Sequence, residues 1–193
     1  MTRRVVLALA IALATWTGLR AEVRPIDAGR STLTVFAYKS GLFSAFADDH
    51  TIRAPIARGS ISDSGTLSVE IAVRSADMTV LDPNLSASKR AEVQARMVGA
   101  EVLDVARYPD ITFASTAIEP AGADRWTVRG NLTMHGVTRP VTIAVTRQDG
   151  RYHGSVMLKQ SDFGIQPISI VGGTVKVKDD LKIEFDILPG AAG

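Results

Sequence analysis

Three histidines and one acidic cluster are the chain's most reactive side chains. His50 follows Asp48 and Asp49 in the run ADDH, His135 lies in NLTMHGVTRPV, and His153 stands apart from both. A carboxylate beside an imidazole is the arrangement that acid–base catalysis or a metal centre uses. The spacings match neither H-x-H nor H-E-x-x-H, so the residue types allow this chemistry without a motif that specifies it.

Both histidine stretches also have a simpler interpretation. Three adjacent polar residues, without further residues that would complete a catalytic or metal site, are more often a solvated loop than a site. His135 and Gly136 stand between two alternating runs, where a tight hairpin turn is expected, and strand parity places His135 on the wet side. We therefore predict no catalytic residue and no metal, and keep a hydrolase using Asp48, Asp49, His50 and His135 as a less favoured alternative.

Other reaction classes have less support. The absence of cysteine excludes thiol catalysis, zinc–thiolate sites, iron–sulfur clusters and lipid attachment through a thiol. No G-x-S-x-G elbow, phosphate-binding loop or dinucleotide fingerprint occurs, and the paired glycines of VGGTVKVKDD precede a strand, which indicates a turn or bulge. The sequence therefore predicts no enzyme and no cofactor.

Alternating apolar and polar residues dominate the chain after residue 30. In WTVRGNLTM the apolar residues from Trp126 to Met134 share one face, a period typical of antiparallel strands with one buried side. Turn signals in SDSG, PAGAD, HGVTRP and QDGR separate the runs. We predict an all-β protein with a helical insertion, folded as an eight-stranded antiparallel up-and-down barrel. The strands are expected near residues 32–38, 50–62, 66–75, 110–118, 125–134, 138–147, 151–159 and 174–187.

The insertion near residues 76–109 has a helical pattern instead. Ser86 or Ser88 is the expected N-cap, and Gly99 the expected end or kink. The helix is expected to close one end of the barrel, either over a ligand or over a filled core. Its predicted apolar side consists of Ala91, Ala95, Val98 and Val102, with Val93 and Met97 beside it.

The first 21 residues predict export. Two arginines, an apolar run from Val5 to Ala14 and small residues before Ala21 are typical of a cleaved signal peptide, with an uncleaved anchor as the alternative. Residues 22–193 are then expected to form a single periplasmic domain. Without the three arginines of the leader, the 22 basic residues fall to 19 against 20 acidic ones. These are scattered, which argues against a nucleic-acid partner.

Four motifs in order are similar to those of the YceI-like family: LDVARYPDITFAST at 103–116, VRGNLTMHGVTRPVTI at 128–143, SDFGI at 161–165 and VKVKDDLKIEFDI at 175–187. The resemblance runs from about Ser31 to Leu188. It implies an extended lipocalin-like barrel, usually periplasmic, that binds polyisoprenoids or related amphipathic lipids and is not an enzyme. The segment after Ser75 lacks the R-D-x-H-L stretch typical of members, which suggests a branch with a longer helix.

The leading functional prediction is a periplasmic carrier that holds an isoprenoid, quinone or other fatty lipid inside the barrel. Transient membrane contact is compatible with this role, and the oligomeric state is left open, a homodimer included. The alternative is a solid-core structural or stress-related module without a ligand. The predicted lining residues, chosen by strand parity, are Val69, Ile71, Met97, Val102, Ile111, Phe113, Trp126, Val128, Leu132, Ile143, Val156, Leu158, Ile183 and Phe185. Second-line candidates at the mouth are Phe43, Phe46 and Phe163.

Overall fold

A computed structural model describes residues 22–40, 49–170 and 175–191. The predicted signal peptide therefore lies outside the described residues. The described residues form one antiparallel sheet and one α-helix, α1, at Ala87–Val98. The strands are β1 Val23–Pro25, β2 Thr32–Ser40, β3 His50–Arg53, β4 Ile56–Ser62, β5 Ser68–Arg74, β6 Thr79–Val80, β7 Asp110–Gly122, β8 Arg125–Met134, β9 Val137–Gln148, β10 Arg151–Lys159, β11 Ser169–Ile170 and β12 Val175–Ile187.

The sheet is curled, and a short link between two strands brings its two ends close together. Its hydrogen-bonded order is β1-β4-β5-β7-β8-β9-β10-β12-β2-β3-β6, with β11 beside β12. β3 and β4 stand near opposite ends of this order, yet only Ala54 and Pro55 separate them. Tight hairpins join β8 to β9 and β9 to β10. In these turns His135–Gly136 and Asp149–Gly150 adopt the positive φ angles that two-residue turns require.

The prediction of eight strands is wrong, because twelve are present in the described part of the chain. The predicted strand at 50–62 is divided at Pro55, which lacks the N–H needed to continue the ladder, and a bulge follows between Ile56 and Arg58. β1, β6 and β11 contain only two or three residues, too few to produce a period. The seven other predicted strands are present, although β7 runs four residues further than expected, to Gly122.

Helix α1 begins and ends where predicted, but its buried side differs. The Ser86 hydroxyl accepts a hydrogen bond from the backbone N–H of Lys89, and Gly99 follows the last turn. Ala91 and Ala95 are exposed, whereas Met97 is buried and Val93 and Val98 are half-buried. The side with the larger apolar residues removes more surface from water than the alanine side does, and it is therefore the one that packs inward.

Two inward-facing glycines make room for phenyl rings. A Cβ on Gly130 would overlap the ring of Phe113 and come within 2.5 Å of the Ala114 carbonyl oxygen. A Cβ on Gly154 would likewise overlap the ring of Phe185. Each phenyl ring therefore occupies the space that a side chain at the glycine of the neighbouring strand would need.

Candidate functional site

The curled sheet surrounds a cavity of about 790 Å³. Inward residues of nearly every long strand form its wall, and most of them are aliphatic or aromatic. This volume lies within the range of about 300–1,000 Å³ that is usual for sites that bind small organic ligands. The interior is therefore hollow and apolar.

Burial along the strands confirms that the interior is not filled. Ile143 and Val156 point inward and line the cavity, yet they are only half-buried. In a close-packed core such residues touch neighbours on all sides. Their remaining accessible surface faces the cavity, so a ligand can still cover it.

All fourteen predicted lining residues lie on the cavity wall. They are Val69, Ile71, Met97, Val102, Ile111, Phe113, Trp126, Val128, Leu132, Ile143, Val156, Leu158, Ile183 and Phe185. Bulges do reverse the strand parity, for example between Ser115 and Ala117, but the chosen residues of that strand precede the bulge. Their role as ligand contacts remains a prediction.

The second-line aromatic residues have different outcomes. Phe43 and Phe46 lie outside the described residues. Phe163 lies in a short 3₁₀ helix at Gln160–Phe163 and is only 1 % exposed. Its side chain packs within the larger core cluster and is not among the residues that line the cavity. Its prediction as a mouth residue is wrong, because the 3₁₀ turn directs its ring into the protein.

One end of the cavity carries charged residues that the sequence analysis missed. Lys39 continues the inward face of β2 after Val35 and Ala37, and Lys89, Glu92 and Arg96 follow one side of α1. With His50 these residues form the helix-side mouth. The i, i+3, i+7 spacing of the three helical residues was the available signal. Lys89, Glu92 and Arg96 line the cavity and are also exposed, so the cavity reaches solvent at this end.

His50 is paired with a carboxylate that the sequence analysis did not consider. Its Nδ1 lies 2.6 Å from Oδ2 of Asp82, which is buried, and the other oxygen of Asp82 accepts from the backbone N–H of Thr51 at 2.8 Å. Asp49, one of the two predicted partners, instead accepts from the backbone N–H of Lys39, and Asp48 lies outside the described residues. The pair holds the loop before α1 against β3, and leaves Nε2 as the second hydrogen-bonding atom of the His50 ring.

Removal of the Asp82 carboxylate should destabilise the fold. In Asp82→Ala, the half-buried N–H of Thr51 and the Nδ1 of His50 lose their partner, which costs about 1–3 kcal/mol. Asp82→Asn should lose less, because its amide oxygen can still accept from Thr51. Urea denaturation measures the difference. Equal stability of Asp82→Ala and the unaltered protein would show that this contact contributes nothing.

The opposite end of the cavity has a different character. Asp63 lines it, pairs with Arg24 and accepts a hydrogen bond from the Tyr152 hydroxyl at 3.1 Å. Burial, and then the negative charge of Asp63, raise the pKa of Tyr152 above its ordinary value. Trp126 packs edge-on against Tyr152 with 5.8 Å between ring centroids. This end therefore combines aromatic rings with a carboxylate whose charge Arg24 balances.

The other histidines do not join His50 at the mouth. His135 has a φ of 51° in the turn between β8 and β9, as its hairpin interpretation requires. It is half-buried rather than on a wet face, with its ring 4.4 Å from that of Tyr108 and its Nδ1 3.3 Å from the Phe163 carbonyl oxygen. His153 lies 3.8 Å from Asp186. Tertiary packing of the turn against Tyr108 overrides the strand parity of His135.

Within 22–40, 49–170 and 175–191, no group of three or more histidine, aspartate or glutamate side chains is arranged to hold a metal ion. In the same ranges, no helix has the length and hydropathy to cross a membrane.

A single antiparallel sheet curled around an apolar cavity, with one helix at the open end, defines a mostly-β protein with an internal ligand-sized chamber. The YceI-like domain model matches residues 25–188, which is most of the chain. The chain belongs to the YceI-like family.

Individual relatives agree with this assignment. A UPF0312 protein of Pseudomonas putida (strain F1) is 34 % identical over 107 residues, which covers 50 % of this chain and 55 % of that one. A UPF0312 protein of Azotobacter vinelandii is 37 % identical over 89 residues, covering 41 % and 46 %. The matched segments thus span about half the length of these curated relatives.

Solved structures share the fold. BcnA of Burkholderia cenocepacia superposes with a TM-score of 0.61 at 21 % identity, covering 84 % of this chain and 98 % of that one. A domain of Saccharophagus degradans, described as polyisoprenoid binding and implicated in plant cell wall breakdown, gives 0.61 at 16 % identity, covering 89 % and 99 %. At these identities the likeness establishes the fold alone.

Proposed function

We propose that the protein binds a long-chain isoprenoid, or another amphipathic lipid, in its cavity and carries it through the periplasm. The observation on which this depends is the hollow interior, with inward apolar side chains that remain half-accessible. Burial of a lipid chain there would contribute about 0.8 kcal/mol for each methylene group. The polyisoprenoid-binding description of the Saccharophagus domain supports the same ligand class.

A solid-core module is the alternative, and it requires a filled interior. The cavity of about 790 Å³ does not meet that requirement. A hydrolase has no specific observation in its favour within the described residues, because Asp49 accepts from the backbone N–H of Lys39 and His50 pairs with Asp82 instead. Binding of a lipid explains the apolar wall of the cavity. The predicted leader sequence supports a periplasmic location.

Fluorescence from within the cavity tests binding. Trp126 lines the wall, and the chain's only other tryptophan, Trp16, belongs to the predicted leader. Titration of the exported protein with a polyisoprenoid that carries a quencher at its tail should reduce the Trp126 emission and saturate at one ligand per chain. Trp126→Phe should abolish the signal. Quenching that rises linearly without saturation would contradict a defined site.

A further inference from the structure

We propose that Tyr152 is a stop at the closed end of the cavity, and that its ring sets the length of lipid chain that the protein accepts. The inference rests on the proposed function and adds to it a specificity-determining residue and a chain length. Its basis is the difference between the two ends of the cavity and the bonding of Tyr152 at one of them.

The end of the cavity opposite the helix has a floor. Ile61 and Ile187 line this end, and both are buried. Ile26 and Ile56 belong to the same buried cluster without lining the cavity, and Tyr152 packs against that cluster. At the helix side, by contrast, the cavity reaches solvent past exposed residues of α1. A lipid chain that enters from the helix side therefore ends at this floor.

Tyr152 is fixed across the floor by contacts between separate strands. Its ring belongs to β10, and its hydroxyl donates to Asp63, which follows β4, at 3.1 Å. In the described sheet β4 and β10 are not neighbours, so this hydrogen bond bridges the inside of the curl. Asp63 is held in turn by Arg24 of β1, and Trp126 of β8 packs edge-on against the Tyr152 ring. A ring held by three other strands is a fixed boundary for the chain.

The volume of the cavity gives the length of chain that reaches this boundary. An engineered apolar cavity of about 150 Å³ binds one benzene, a molecule of six carbon atoms. At the same packing, the 790 Å³ of this cavity hold about thirty carbon atoms, or about six isoprene units. We therefore expect the tail of a hexaprenyl chain to meet Tyr152, and longer chains to leave carbon atoms outside.

A bilayer donor turns this limit into a measurable cutoff. A chain that fits exchanges one apolar environment for another when it moves from the bilayer into the cavity. Every carbon atom that does not fit leaves the bilayer for water, which is unfavourable in proportion to the apolar surface exposed. One isoprene unit beyond the limit should therefore lower the bound amount more than about tenfold.

Competition among chain lengths tests the inference on the protein purified from its own host. The protein is incubated with an excess of phosphatidylcholine vesicles that contain equimolar, isotopically labelled polyprenols from farnesol to decaprenol. The vesicles are removed by flotation, and the labelled alcohols bound to the protein are quantified by mass spectrometry. We expect polyprenols up to about hexaprenol in the bound fraction and a steep fall at the next length.

Two variants should move the cutoff in opposite directions. Tyr152→Ala removes a phenol ring from the floor and frees space for about one further isoprene unit, so longer chains should be retained. Val69 lines the same end, paired with Ile61, and Val69→Phe adds a ring there, so the cutoff should fall by about one unit. A folding defect would lower the bound amount at every length without a shift. Phe36→Ala removes a similar ring from the outward side of β2 and should leave the cutoff unchanged.

The outcomes separate the two proposals. An unchanged cutoff in either variant, with the fold verified by circular dichroism, rules out Tyr152 as the stop while lipid binding stands. Bound amounts that do not depend on chain length would likewise overturn the closed floor. If the unaltered protein takes up no polyprenol of any length from the vesicles, lipid binding itself fails.

Discussion

Val156→Trp should lower the affinity for a long-chain lipid more than tenfold and leave the protein folded. Val156 lies inward on β10 opposite Ile183 of β12 and is half-buried because it faces the cavity. An indole at this position occupies space that the lipid chain needs. Displacement of only two methylene groups costs about 1.6 kcal/mol, which corresponds to more than a tenfold change in Kd. Overpacking strain is small, because the added volume enters empty space.

The adjacent residue supplies the control. Met157 points outward on the same strand and is 55 % exposed. Met157→Trp adds the same indole outside the cavity and should leave the Kd unchanged. The Kd is measured by displacement of N-phenyl-1-naphthylamine, and circular dichroism verifies the fold of both variants. Equal affinity of the two variants would contradict binding inside the sheet.

Phe163→Ala should cause the largest loss of stability. The ring is only 1 % exposed and packs within the core cluster, and truncation of such a phenylalanine costs about 3–5 kcal/mol. For a domain of this size the thermal midpoint should fall by about 10 °C. Calorimetry measures this shift. Below the new midpoint the lipid affinity should change less than threefold, because Phe163 lies behind the cavity wall.

Phe36→Ala provides the comparison for this variant. Phe36 is half-buried on the outward side of β2, between the inward residues Val35 and Ala37. Loss of the same phenyl group there should lower the free energy of unfolding much less. If the two variants are equally destabilised, Phe163 is not the core residue that its burial indicates.

The cavity wall was predictable from the sequence because strand parity is a local property. Ile143, Val156 and Ile183 alternate with polar neighbours, and one buried face follows directly. Parity does not reveal whether inward side chains meet across the interior. That depends on the curvature of the sheet and on close approaches such as that of Phe113 to Gly130, which join residues of neighbouring strands.

The helix-side mouth was harder to predict, for a related reason. His50 and Asp82 are separated by 32 positions, and only the pairing of β3 with β6 brings them together. Asp49, next to His50 in the chain, uses a side-chain oxygen to accept from the backbone of Lys39 instead. Phe163 was misplaced because a 3₁₀ turn has no sheet parity. Contacts between distant segments therefore account for the errors.

The most direct measurement is the lipid content of the protein purified from its own host. The protein is purified without detergent and extracted with organic solvent, and the extract is quantified by mass spectrometry beside that of Val156→Trp. We expect about one long-chain lipid per chain from the unaltered protein and a small fraction of that from the variant. A lipid-free extract from the folded, unaltered protein, or equal amounts from both, would contradict a lipid-binding cavity.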